Sequence, residues 1–96
     1  MTMLEPSITY QIDPTVDFDE VTATLTLATL AVESIHGEAE VRLSCCHELN
    51  PELRSCVINA DNKVGHDLNR LFAGFLLREF GPDSFRVERI AKSAVA

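Results

Sequence analysis

The first third of the chain changes from a two-residue to a helical hydrophobic period. Residues 7–12 alternate apolar and polar side chains, which predicts a half-buried strand with Ile8, Tyr10 and Ile12 facing inward. Residues 18–36 predict a helix, because Asp17 before it is a typical N-cap and Gly37 after it a typical stop. Its buried stripe comprises Val21, Leu25, Ala28, Val32 and Ile35. Four threonines inside this span favour extended structure, but the two terminal signals favour the helix.

The middle of the chain predicts a hairpin. Residues 40–46 alternate apolar and polar side chains again, and residues 54–60 form a second strand-like segment. Between them Asn50 and Pro51 mark a turn, so we expect a four-residue loop over residues 49–52. Such a loop would pair the apolar residues of both segments on one buried face. The expected pairs are Val41 with Ala60, Leu43 with Ile58, and Cys45 with Cys56.

The last third predicts one more helix and one more strand. An apolar helical repeat begins after Asp61 or Asn62, either of which can cap it, and Gly81-Pro82 ends it. Residues 85–90 alternate as a final strand, and residues 91–96 are expected to form a flexible tail. The order of elements predicts an α+β fold, the ferredoxin-like βαββαβ plait. We therefore expect a four-stranded antiparallel sheet with two helices on one face, its first and third strands central, as a single domain over residues 1–90.

The charge is distributed unevenly between the two parts of the chain. Residues 1–41 contain eight acidic residues and no lysine or arginine, whereas the remainder has a net charge of +1 and the whole chain −7. This distribution disfavours nucleic acid and anionic membranes as partners and favours a basic protein. The beginning of the chain lacks the features of a secretory signal, and three cysteines are an odd number, so we expect reduced thiols and a cytoplasmic location.

Two acidic loops, each preceding a predicted helix, are the best candidate for a ligand site. We expect them to meet at one end of the fold, where carboxylates could bind a hard cation or a small ligand. The alternative is that these residues only cap the helices. The candidate ligand-binding residues are Asp13, Asp17, Asp61, Asn62, Gly65, His66 and Asp67. The cysteines lack the close paired spacing of zinc ligands, so neither a metal centre nor a cofactor is expected.

No set of residues in the sequence has the pattern of a catalytic site. His66 is the one histidine near the acidic loops, and no nucleophile is positioned to use it as a base. The outward positions of the predicted sheet contain no aromatic residue, which disfavours RNA binding. We therefore expect a non-enzymatic protein-interaction or regulatory module that self-associates as a homodimer. The alternative is a small-ligand or divalent-cation-binding domain with its site at the N-terminal ends of the helices.

Overall fold

The chain alternates strands and helices in a computed structural model that describes residues 6–90. The elements are β1 (Ser7–Ile12), α1 (Phe18–His36), α2 (Glu38–Ser44), β2 (His47–Asn50), β3 (Ser55–Asn59), α3 (Lys63–Phe80) and β4 (Phe85–Ile90). The predicted α+β class and the four-stranded antiparallel sheet are confirmed, but there are three helices instead of two. The predicted tail, residues 91–96, lies outside the described residues. Between residues 6 and 90, no helix combines the length and apolar character that crossing a membrane requires.

The sheet has the strand order β2-β3-β1-β4, so β1 and β3 lie in its centre as predicted. Every neighbouring pair is antiparallel. The inward residues of β1 join those of β3 and the helices in one core, whose largest side chain is Tyr10 at 1% exposure. The Tyr10 ring packs edge-on against Phe72 of α3, with 4.9 Å between the ring centres. One face of the sheet is therefore covered by the helices.

Helix α1 accommodates its threonines, whose hydroxyl groups bond to the backbone of the helix. Thr22, Thr24, Thr26 and Thr29 each donate to the backbone carbonyl four residues earlier, at 2.9–3.1 Å. The helix begins at the predicted N-cap, where the Asp17 carboxylate accepts a hydrogen bond from the Asp19 backbone N–H at 2.9 Å. It ends at Gly37, whose φ of 91° is poorly tolerated by other residues. The predicted bounds of α1 are confirmed.

The strand predicted over residues 40–46 is wrong, because most of this segment is the short helix α2. Alternation there does not mark a buried face: Val41 is buried, but Leu43 is 84% exposed. The segment is rich in good helix formers, and two side-chain pairs four residues apart support the helix. These pairs are Arg42 with Glu38 and Ser44 with Glu40, both at 2.7 Å.

A hairpin precedes α3 as predicted, but its first strand is β2 (His47–Asn50) instead of residues 40–46. Leu49, not Cys45, lies opposite Cys56, and His47 lies opposite Ile58. Because this shift is four residues, it leaves the same set of side chains of β3 facing the core. The turn occupies residues 51–54 and ends at Arg54, whose φ of 53° is the one positive value among the described non-glycine residues. Hydrophobic alternation favoured the wrong segment, because Leu49 is the single apolar residue of β2.

Candidate functional site

The seven predicted ligand-binding residues lie in two groups at opposite ends of the sheet. Asp13 follows β1 and Asp61 follows β3, but β1 and β3 are antiparallel, with Ser7 opposite Asn59. The ends of these strands are therefore about 20 Å apart. The expectation that the two acidic loops meet is wrong, because helices that follow antiparallel strands begin at opposite ends. Asp13 and Asp17 form one group, and Asp61, Asn62, Gly65, His66 and Asp67 form the other.

The carboxylates of the first group accept hydrogen bonds from residues of their own loop and helix. Asp13 accepts hydrogen bonds from the backbone N–H of Thr15, at 3.0 Å, and from the Thr15 hydroxyl. The hydroxyl bond is the main reason that the pKa of Asp13 is lowered. Asp17 is the N-cap of α1. Both carboxylates therefore shape the loop that leads into α1.

The second group surrounds the first turn of α3. Asn62 is the N-cap, since its side-chain oxygen accepts a hydrogen bond from the Gly65 backbone N–H at 2.8 Å. The Asp61 carboxylate accepts from the Asn59 amide at 2.7 Å. Gly65 permits a close approach between α3 and the end of β3, because an added Cβ would lie 2.4 Å from the Asn59 carbonyl oxygen. His66 is exposed to solvent. The close approach at Gly65 is thus to the chain's own backbone.

A buried amide network next to this turn joins α3 to the sheet. The Asn69 amide group donates to the backbone carbonyls of Asn59 and Gly65 at 3.0 and 2.9 Å, and its oxygen accepts from the Tyr10 hydroxyl at 2.7 Å. The Asn59 side chain continues the network, accepting from the Cys46 backbone N–H at 2.7 Å and donating to the Ser44 carbonyl. The network is saturated by internal partners, which indicates a structural role.

Asp67 is paired with a histidine at the C-terminal end of α1. The His36 ring and the Asp67 carboxylate are 2.7 Å apart, with side chains 14% and 23% exposed. This hydrogen bond is the main cause of the lowered pKa of Asp67, and Lys63 and Arg70 lower it further. The pair links the end of α1 to the start of α3, which run antiparallel.

Replacing Asp67 by asparagine should lower the free energy of unfolding at pH 7 by about 0.5 kcal/mol, because His36 loses a carboxylate partner. The folded pKa of Asp67 lies below that of the unfolded chain. The contribution is therefore complete above about pH 4 and disappears as the pH falls through the folded pKa. Urea unfolding at pH 7 and near pH 3 measures this difference. Glu52→Gln, at an exposed turn residue, is the control; an Asp67 effect undiminished near pH 3 would contradict this account.

Cys45 and Cys56 are positioned as packing residues, whereas Cys46 is exposed. Burial raises the pKa of Cys45 to about 11 and that of Cys56 to about 12, so both thiols are protonated at neutral pH. Among residues 6–90 no three histidine, cysteine or acidic side chains converge as a metal site would require.

Arg54 holds the loop between β1 and α1, a role that the sequence did not suggest. Its guanidinium donates to the Asp13 carbonyl at 2.9 Å and also to the Val16 carbonyl. It lies over the Phe18 ring, 5.9 Å from the ring centre. Arg54 belongs to the β2–β3 turn, so this turn holds the loop between β1 and α1 in place. No local sequence pattern predicts such a contact between distant parts of the chain.

An apolar groove lies between α1 and α3. It has a volume of about 570 Å³ and is lined by Ala23, Thr24 and Leu27 of α1 and by Phe75 of α3, together with Glu20, Arg78 and Glu79. Leu27 is 60% exposed, which is high for a leucine in the middle of a long helix. A sequence signal was present: Ala23, Leu27, Leu30 and Ala31 are apolar positions of α1 outside the predicted buried stripe. We call the groove formed by its seven lining residues the helix groove; they are Glu20, Ala23, Thr24, Leu27, Phe75, Arg78 and Glu79.

Two carboxylates line the helix groove beside its apolar residues. Glu20 and Glu79 line it from α1 and α3, and Arg78 is its single basic residue. Helix α1 as a whole contains Asp19, Glu20 and Glu33 and no lysine or arginine. The groove can therefore accommodate apolar side chains next to positive charge. Comparisons with protein-family models, curated proteins and solved structures find no match to this chain.

Proposed function

We propose that the protein is a non-enzymatic binding module whose helix groove takes an apolar segment of a basic partner protein. The exposure of Leu27 beside Phe75 in an open apolar groove is the observation that carries this proposal. Exposed apolar grooves with charged neighbours are common features of protein-binding surfaces. The surplus of acidic residues in α1 favours lysine and arginine in the segment that binds.

The architecture supports a binding role on this side of the molecule. We infer a variant of the ferredoxin-like plait, with β1 and β3 central and α2 as an addition between α1 and β2. In this arrangement α1 and α3 lie side by side and form one surface made of two helices. The Asn69 network and the His36–Asp67 pair brace the two ends of α3 and α1 that lie farthest from the helix groove. Next to the groove, both helices bury residues in the common core, so its walls would be preformed, which lowers the entropic cost of binding.

Selection from a random peptide library against the immobilised protein tests the proposal. Enriched peptides should combine apolar residues with lysine or arginine, and should shift the NMR signals of Leu27 and Phe75. Leu27→Ala should weaken their binding about tenfold, because truncation removes an exposed apolar contact. Leu43→Ala, at an 84% exposed leucine of α2 outside the helix groove, is the matched control and should leave binding unchanged.

The charge preference has a test of its own. Glu20→Gln should weaken binding of the selected peptides more in low salt than in high salt, because screening removes the same attraction. Peptides without basic residues, or binding that is equal for wild type and Leu27→Ala, would contradict the proposed function.

A further inference from the structure

The outer edge of β4 presents backbone groups without partners in the described part of the chain. Within residues 6–90 β4 is the last strand of the sheet and pairs only with β1. The Asp13 N–H donates to the Ser84 carbonyl at 2.7 Å, on the β4 side of β1, whereas the Ile12 N–H donates to Arg54 on the β3 side. Backbone groups along a strand point alternately to its two sides. The even-numbered residues of β4 therefore bond to β1, and the N–H and C=O groups of Phe85, Val87 and Arg89 point outward.

The side chains of this edge have a self-complementary order. Val87 lies opposite Tyr10, on the helix-covered side of the sheet, yet it is 51% exposed. Arg86 and Glu88 are exposed on the opposite side, one on each flank of Val87. Charges of one sign on a strand edge repel a second copy of the same edge and so prevent pairing most effectively. Here the flanking charges have opposite signs, so a reversed copy of the strand would match them.

We propose that a second copy of this chain pairs with β4 in an antiparallel, two-fold arrangement centred on Val87. The central valine and the partner's Val87 would exchange two backbone hydrogen bonds, and Phe85 and the partner's Arg89 would do the same. The exposed Val87 side chains would then cover each other. The two sheets become one continuous eight-stranded sheet, on a surface separate from the helix groove.

The charges select this register among the possible ones. Centred on Val87, Arg86 lies opposite the partner's Glu88, and symmetry makes this pair twice. These are non-hydrogen-bonded positions, at which facing side chains are closest. A register centred on Arg86 or on Glu88 would instead place like charges face to face. The other edge is less suitable, because β2 has only four residues and pairing centred on Glu48 would oppose two carboxylates.

Sedimentation equilibrium of the purified chain and three variants tests the proposal. Wild type should show a weak, concentration-dependent monomer–dimer equilibrium, since edge pairing alone buries a small area. Arg86→Glu and Glu88→Arg should each raise the dissociation constant about tenfold, because each converts both ion pairs into repulsions. The double variant Arg86→Glu/Glu88→Arg should recover dimerisation. Far-UV circular dichroism shows whether each variant has kept its fold.

A mixture of the two single variants gives the sharpest result. One chain then has two acidic residues beside Val87 and the other has two basic ones, so they should form a heterodimer more tightly than either variant forms its homodimer. Val87→Pro removes the central outward N–H without removing a bond to β1, and should also abolish association. A wild type that stays monomeric at millimolar concentration would overturn the proposal. A terminal segment of the chain that covers the edge of β4 would give this result. Single variants that dimerise like wild type would overturn it too.

Discussion

Gly65→Ala should lower the free energy of unfolding by about 2 kcal/mol, whereas Gly74→Ala should raise it by about 0.5 kcal/mol. Both glycines lie within α3, where alanine is intrinsically the better helix former by about 0.5–1 kcal/mol. They differ in what a Cβ would meet. At Gly65 it would lie 2.4 Å from the Asn59 carbonyl oxygen and 3.1 Å from the carbonyl carbon, and at Gly74 nothing lies within 4 Å.

The clash at Gly65 cannot be relieved by a rotamer change, because the atoms it meets belong to the backbone at the end of β3. Helix α3 would have to move away from the sheet, which strains the Asn69 hydrogen bonds on the next turn. Overpacking of this kind costs roughly 1–3 kcal/mol. Urea denaturation of the two variants beside wild type measures both signs. Equal stability of Gly65→Ala and wild type would mean that the approach of α3 to β3 is looser than described.

Helices α1 and α3 could be predicted because their signals are local and mutually consistent. For α3 the apolar repeat, a cap at Asp61 or Asn62 and the Gly81-Pro82 stop indicate similar bounds, and the structure places it at Lys63–Phe80 with Asn62 as the cap. For α1 the N-cap and the glycine stop predicted a helix, although its threonines favour a strand. That was correct because a threonine hydroxyl in a helix can bond to the carbonyl one turn earlier.

The second strand could not be placed because the alternating segment, residues 40–46, mostly forms helix α2, whereas β2 (His47–Asn50) has Leu49 as its single apolar residue. Alternation favoured Cys45 opposite Cys56, and the structure places Leu49 there. The turn between β2 and β3 ends with Arg54 at a φ of 53°. Arginine has no special preference for that conformation, and its compensation comes from distant carbonyls of the β1–α1 loop.

The two acidic loops do not meet, for a reason of topology. Each acidic loop was identified correctly as the start of a helix, and Asp17 and Asn62 are caps. Their meeting depended on the direction of β3 relative to β1, and the antiparallel pairing separates them. The predicted buried stripe of α1 does not include Leu27, which is exposed and lines the helix groove. An apolar residue outside the buried stripe of a helix is the signal that would have indicated it.

Asn69→Leu should lower the free energy of unfolding by about 3 kcal/mol, because it leaves buried polar groups without partners. Asn69 is 5% exposed and is the partner of both the Tyr10 hydroxyl and the Asn59 carbonyl. Burial raises the pKa of Tyr10 above its ordinary value, so its hydroxyl remains a donor at neutral pH. A leucine of similar volume would fill the space but accept no hydrogen bond.

Tyr10→Phe separates this loss of hydrogen bonds from a change in packing. It removes the donor and keeps the ring against Phe72, so it should cost only about 1 kcal/mol. In the double variant Tyr10→Phe/Asn69→Leu, no hydroxyl is left unpaired beside the leucine. The double variant should therefore be less destabilised than the sum of the two single variants, by about 1 kcal/mol. Strict additivity in urea denaturation would mean that the bond between Tyr10 and Asn69 contributes nothing to the free energy of unfolding.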